Sequence, residues 1–150
     1  MSEPGRAGTG LGHVDYRAEL KADAEEVWKL VGAFDSLPRW HPLVAECALE
    51  GDESRGFVRR IRLHDGTIIL NRLTTHSDDA RSYGYELVEG PLKVAFYRSR
   101  LRIVAEGEGR CRLEWSSVFD PGETPAEEIK SRVESLIGPG VESLKQRFGG

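Results

Sequence analysis

The sequence predicts an α+β domain in which one curved antiparallel sheet of seven strands wraps around a long C-terminal helix. Three observations predict it. Apolar residues recur with a period of two in successive segments, joined mostly by short turns rich in glycine and aspartate. One amphipathic helix, broken at its end by Pro38 and Pro42, stands between the first strand and the second. After residue 125 the spacing returns to that of a helix. A sheet with one polar face needs its other face covered, and the terminal helix is the available cover.

Each element has its own signal. Residues 13–20 alternate, with Val14, Tyr16, Ala18 and Leu20 on one face. Asp23 is placed to cap the following helix, and Glu25 and Glu26 suit its first turn. Val27, Leu30, Val31 and Phe34 form that helix's apolar stripe. Residues 43–50 read as a short strand. Residues 56–63 and 67–76 flank the sequence HDG, a strong hairpin signal. A three-residue loop pairs Ile61 with Ile69 and Arg59 with Asn71. A two-residue Asp-Gly turn shifts the pairing by one and exchanges the faces of Asn71 and Arg72. Residues 82–89 put Tyr83, Tyr85 and Leu87 on one face. Residues 93–106 oppose Tyr97, Ser99, Leu101 and Ile103 to Arg98, Arg100 and Arg102. Residues 111–119 set Leu113, Trp115, Ser117 and Phe119 against Arg112 and Glu114. The terminal helix, about 126–148, carries Ile129, Val133, Leu136, Ile137, Leu144 and Phe148. Its GPG at 138–140 is expected to interrupt it.

Bulk properties bound the function. At 150 residues the chain fits one domain with one core. It is 39% hydrophobic and 31% charged, with a net charge of −4. Without an overall basic field, nucleic acid is not an expected partner. No apolar run approaches a membrane span, so stable membrane insertion is not expected. The first residues, MSEPGRAGTGLG, lack the apolar region of a signal peptide and read as a flexible tail over 1–12, with the domain over 13–148. Cys47 and Cys111 have no metal-type spacing, so reduced thiols and a cytoplasmic location are expected. No motif calls for a cofactor or a metal ion. A monomer or a homodimer is equally compatible with the sequence.

The segments AEEVWKLVGAFDSLPRWHPLV, GFVRRIRLHDG, LNRL, RSYGYELVEGPL, FYRSRLRI and LEWSSVF, in this order before a terminal helix, resemble the START-like, birch-pollen-allergen-like superfamily. Within it the chain looks most like the bacterial polyketide cyclase/dehydrase and lipid-transport proteins. The resemblance covers about residues 13–148. It implies the helix-grip fold and a ligand cavity between sheet and helix. The abscisic-acid receptors of the same superfamily give a residue-level comparison. Their ligand-contacting lysine matches His41, their cavity glutamate matches Asn71, and their cavity tyrosine and serine match Tyr97 and Ser99. Their gate sequence is missing here, so hormone reception is not implied.

Candidate site residues follow. His41, after Trp40 and between two prolines, has the chemistry of a pocket-mouth contact or a general acid/base, or it is a corner residue. Arg59 and Asn71 face the interior in the three-residue register, with Ile61 on the same face. A carboxylate in place of Asn71 would neutralise the arginine. With an amide there, Arg59 must reach solvent, find another acid, or meet an anionic ligand group. Tyr83, Tyr85, Tyr97, Ser99, Trp115, Ser117 and Phe119 make an aromatic wall with a few hydroxyls, suited to a mostly apolar ligand with a polar end, or else a closed core in which the tyrosine hydroxyls pair internally. Gly140, on the sheet-facing stripe, is expected to leave room inside. The arginines at 98, 100, 102 and 112 read as a solvated outer face. Three functions remain open: a binding module for a small apolar ligand, an aromatase/cyclase-like enzyme, and a protein-interaction module. No G-x-S-x-G elbow, HExxH or phosphate loop is present.

Overall fold

A computed structural model describes residues 11–52 and 54–149. The elements run β1 (Gly12–Leu20), α1 (Ala24–Val31), a 3-10 turn (Leu37–Arg39), β2 (Val44–Glu50), β3 (Val58–Leu63), β4 (Ile68–Ser77), β5 (Ser82–Glu89), β6 (Phe96–Ala105), β7 (Cys111–Asp120) and α2 (Ala126–Arg147). The seven strands form one antiparallel sheet in the order β1-β7-β6-β5-β4-β3-β2. This is the predicted helix-grip α+β architecture. The tail expected over 1–12 lies outside the described residues except at its end, where Gly12 already pairs with Phe119.

The sheet bends because its strands are not regular. Register shifts interrupt β2–β3 between Val44 and Glu46, and β4–β5 at Leu70/Asn71 and again at Leu73/Thr75. Such bulges kink a strand and increase its twist. The concave face receives α2, which buries Ile129, Val133, Ile137, Gly140, Val141 and Leu144. Opposite lie Leu101, Ile103, Leu113 and Phe119, all nearly inaccessible. Burying such apolar surface stabilises by about 25 cal/mol per Å².

The β3–β4 hairpin takes the three-residue loop. Leu63 N–H donates to Thr67 O at 2.9 Å, and Gly66 has φ +92°, a conformation that favours glycine. The Asp65 carboxylate accepts the Thr67 N–H at 2.9 Å and fixes the turn. Arg59 therefore pairs with Asn71 and Ile61 with Ile69, on the concave face.

Two local expectations are corrected. Asp23 occupies the N-cap position of α1, but its side chain makes no cap bond. It accepts the Gly109 N–H at 2.6 Å instead and ties α1 to the β6–β7 turn. The interruption expected at residues 138–140 is absent, since α2 runs through Pro139 as one helix. Proline removes the donor to the carbonyl four residues back, that of Ser135, and crowds it with its ring, yet the helix continues. The neighbouring Leu136 carbonyl gains an outside partner, His41.

On the convex face two of the four arginines of the stripe, Arg102 and Arg112, are ion-paired. Arg102 meets Glu114 at 2.5 Å, and Arg112 meets both Glu114 at 2.8 Å and Glu106. Exposed pairs of this kind contribute little stability each.

Candidate ligand cavity

A half-open cavity of about 80 Å³ lies between the concave face and α2. Its floor is built by β3–β7: Arg59, Ile61, Asn71, Tyr85, Tyr97 and Trp115. Val133, Leu136 and Ile137 close it from α2, Leu37 and His41 from the corner after α1, and Val44 from the start of β2. The rim is apolar and less buried, with Leu87, Pro91, Leu92 and Leu136 partly or fully exposed. Polar groups thus sit deep and apolar groups sit near the opening.

Arg59 is buried, at 1% exposure. Its Nε donates to Asn71 Oδ1 at 3.0 Å, and its Nη1 donates to Phe34 O at 3.0 Å and to the Tyr83 hydroxyl at 3.2 Å. The guanidinium carbon lies 4.2 Å from the Phe34 ring centre and 4.6 Å from that of Tyr85. Aromatic faces recover part of the lost hydration of a buried cation, about 2 kcal/mol when desolvated. Neither the solvent-reaching nor the acid-paired expectation holds. No carboxylate pairs with Arg59 among the described residues. The ionisable groups around it stay neutral. Burial raises the Tyr83 hydroxyl despite the arginine beside it. The Cys47 thiol is pushed up to about 11 by burial, against the pull of the same charge.

His41 lines the cavity, but both ring nitrogens are occupied. Leu43 N–H donates to Nδ1 at 3.2 Å, so Nε2 carries the proton and donates to Leu136 O at 2.7 Å. Burial lowers its pKa; the Leu136 bond opposes this, and the charge of Arg59 adds to it. A neutral histidine with both nitrogens engaged is a strap between the post-α1 corner and α2. Trp40 completes the corner. Its indole donates to Ser36 Oγ at 3.1 Å and packs 5.7 Å from the Trp115 ring.

Gly140 is placed otherwise than expected. It lies outside the cavity lining, and a Cβ there would stand 2.7 Å from His41 Cδ2 and 3.2 Å from Trp40 Cζ3. The space it frees is filled by the corner. Ser99 and Ser117 also lie behind the lining. Trp115 Nε1 donates to Ser99 Oγ at 3.1 Å and to the Tyr85 hydroxyl at 3.2 Å. Ser117 Oγ donates to Ser99 Oγ at 3.1 Å, and the Tyr97 hydroxyl lies 2.8 Å from Ser117 Oγ. This network fixes the aromatic wall from the rear. Burial also holds the Tyr97 hydroxyl protonated.

Sequence reasoning missed Phe34, whose ring and carbonyl both hold Arg59. A carbonyl leaves no sequence signal. It also passed over Leu63, Ile69, Val133 and Ile137 as lining residues, although their positions in the strand alternation and the helix stripe mark the inward face.

A family model described as "Polyketide cyclase / dehydrase and lipid transport" matches residues 12–149. The chain belongs to this family. A curated relative, the abscisic acid receptor PYL7 of Arabidopsis thaliana, is 26% identical over 132 residues, which is 83% of this chain and 63% of the receptor. The chain therefore spans less than two thirds of that relative's length. Among solved structures, protein XoxI from Bacillus cereus is 31% identical with a TM-score of 0.83, covering 91% of this chain and 95% of its own. A START superfamily protein from Mycobacterium smegmatis shares the fold at 17% identity and a TM-score of 0.74, covering 91% and 97% of the two chains. No helix among the described residues is long and apolar enough to cross a membrane, and no cluster of His, Cys, Asp and Glu there could hold a metal ion.

Proposed function

We propose that this protein binds a small, largely apolar molecule between the sheet and α2 without transforming it. The observation that carries the reading is the burial gradient of the cavity. An apolar rim leads to a floor with a few buried polar groups, the arrangement of a site that takes an apolar body with one polar end. The volume of 80 Å³ is below the ~150 Å³ that holds benzene in an engineered cavity, so the enclosed part takes the end of a ligand. The remainder extends through the rim between Leu92 and Leu136.

An aromatase/cyclase-like role requires a group that moves a proton at neutral pH. His41 has both nitrogens bonded, and burial keeps Tyr83 and Tyr97 protonated. An interaction module would have a filled interior, whereas here the interior is open. We place the protein in the cytoplasm, where Cys47 and Cys111 remain free thiols.

The reading is tested by organic extraction of freshly purified protein. A small molecule recovered from the extract, added back to refolded protein, should raise its melting temperature, because a ligand that binds the native state stabilises it. An extract that leaves the melting temperature unchanged contradicts it.

A further inference from the structure

The floor of the cavity carries one positive charge and two amino groups without partners. The Nε and Nη1 atoms of Arg59 are engaged, but its Nη2 makes no hydrogen bond among the described residues. Asn71 Oδ1 accepts from Arg59 Nε, and Asn71 Nδ2 makes no hydrogen bond among the described residues. Arg59 is 1% exposed and Asn71 is 4% exposed, and both line the cavity. Buried donors without acceptors are costly, and a buried cation without an anion more so. The neighbouring acceptors are neutral: the Asn71 amide oxygen, the Phe34 carbonyl and the Tyr83 hydroxyl.

We propose that Arg59 and Asn71 form a carboxylate-binding subsite, with Arg59 Nη2 and Asn71 Nδ2 donating to the two oxygens of an organic acid. The inference rests on the cavity reading above and narrows it: the ligand is an amphipathic monocarboxylic acid with its apolar part toward Leu87, Leu92 and Leu136. The carboxylate supplies the counter-charge the fold omits. A planar acid offers two acceptors to two donor groups, which a hydroxyl or a single carbonyl does not. Asn71 leaves Arg59 without an internal counter-charge, which an acidic side chain at this position would supply.

The test uses the full isotope-labelled chain and two probes of nearly equal shape, phenylacetate and phenylacetamide. Each is titrated at constant ionic strength while amide and indole NMR signals are followed. Phenylacetate should bind at least about tenfold more tightly than the amide, the difference expected of a charge-assisted pair. In Asn71→Glu, whose fold is checked by its own NMR spectrum, the preference for phenylacetate over phenylacetamide should be lost. Equal affinity of both probes for the wild-type protein overturns the carboxylate subsite and leaves the cavity reading standing. A preference that survives in Asn71→Glu also overturns it, by placing the anion elsewhere. Binding of neither probe removes the cavity reading and the subsite with it. The wild-type comparison needs no variant to fold.

Discussion

The Nε atom of Arg59 donates a 3.0 Å hydrogen bond to Oδ1 of Asn71 across the β3–β4 ladder, with both side chains buried. An amide is thus the side-chain acceptor facing a buried guanidinium across the ladder. Replacing Asn71 with Leu should cost roughly 2–3 kcal/mol, because a charged donor loses its acceptor in the interior. In an Arg59→Met background the same replacement should cost much less, since no charge is left unpartnered. A double-mutant cycle by urea denaturation measures this coupling. A coupling below about 0.5 kcal/mol would show that the pair is energetically independent.

The His41 strap predicts a pH dependence. Its folded pKa lies below the ordinary value of 6.5, chiefly through burial. Between the two values the unfolded chain binds a proton that the folded chain does not. Stability is therefore full above about pH 6.5 and declines as pH falls toward the folded pKa. Thermal melts from pH 8 down to pH 5 should show this decline in the wild-type protein and a shallower one in His41→Gln. Identical slopes for the two proteins would remove His41 as the cause.

Gly140 separates a packing role from a ligand role. In an ordinary helix Gly→Ala gains about 1 kcal/mol. Here the added Cβ would meet His41 Cδ2 at 2.7 Å and Nε2 at 3.1 Å, so Gly140→Ala should instead destabilise by about 1–3 kcal/mol. With His41→Ala already present, the closest contacts disappear and only Trp40 Cζ3 at 3.2 Å remains, so Gly140→Ala should cost much less. The difference is read by denaturation of the four proteins. A destabilisation that is undiminished without the imidazole would mean that His41 is not what fills this notch.

Most of the fold was legible because its signals are local. Alternation such as Tyr97–Ser99–Leu101–Ile103 marks strand and face together, and HDG marks the hairpin. Which hairpin register applies depends on the conformation of Gly66, so the faces of Asn71 and Arg72 stayed open until Leu63 and Thr67 were seen paired. Strand alternation marks Arg59, Ile61, Asn71, Tyr85, Tyr97 and Trp115 as inward-facing, and all six line the cavity. Periodicity does not say how deep a side chain sits or what stands across from it. Ser99 and Ser117 share the inward face, yet their hydroxyls serve the Trp115 network. Gly140 lies on the buried stripe, but its partner is His41, almost a hundred positions away in the chain. Contacts of that separation are properties of the assembled sheet and helix.

The central claim, that the interior holds a ligand, is open to a change that fills it. Ile69 lies on the cavity wall at the edge of burial, 9% exposed, and Ile69→Phe places extra ring atoms in the 80 Å³ of open space. Because no protein atoms fill that space, the stability change should stay within about 1 kcal/mol, below the usual cost of overpacking a filled core. Native mass spectrometry of freshly purified wild-type and Ile69→Phe proteins, prepared identically, is the most direct measurement. The account predicts a small-molecule adduct on the wild-type chain that is lost on unfolding and missing or strongly reduced in Ile69→Phe. An equal adduct on both proteins, or a bare wild-type chain, would contradict it.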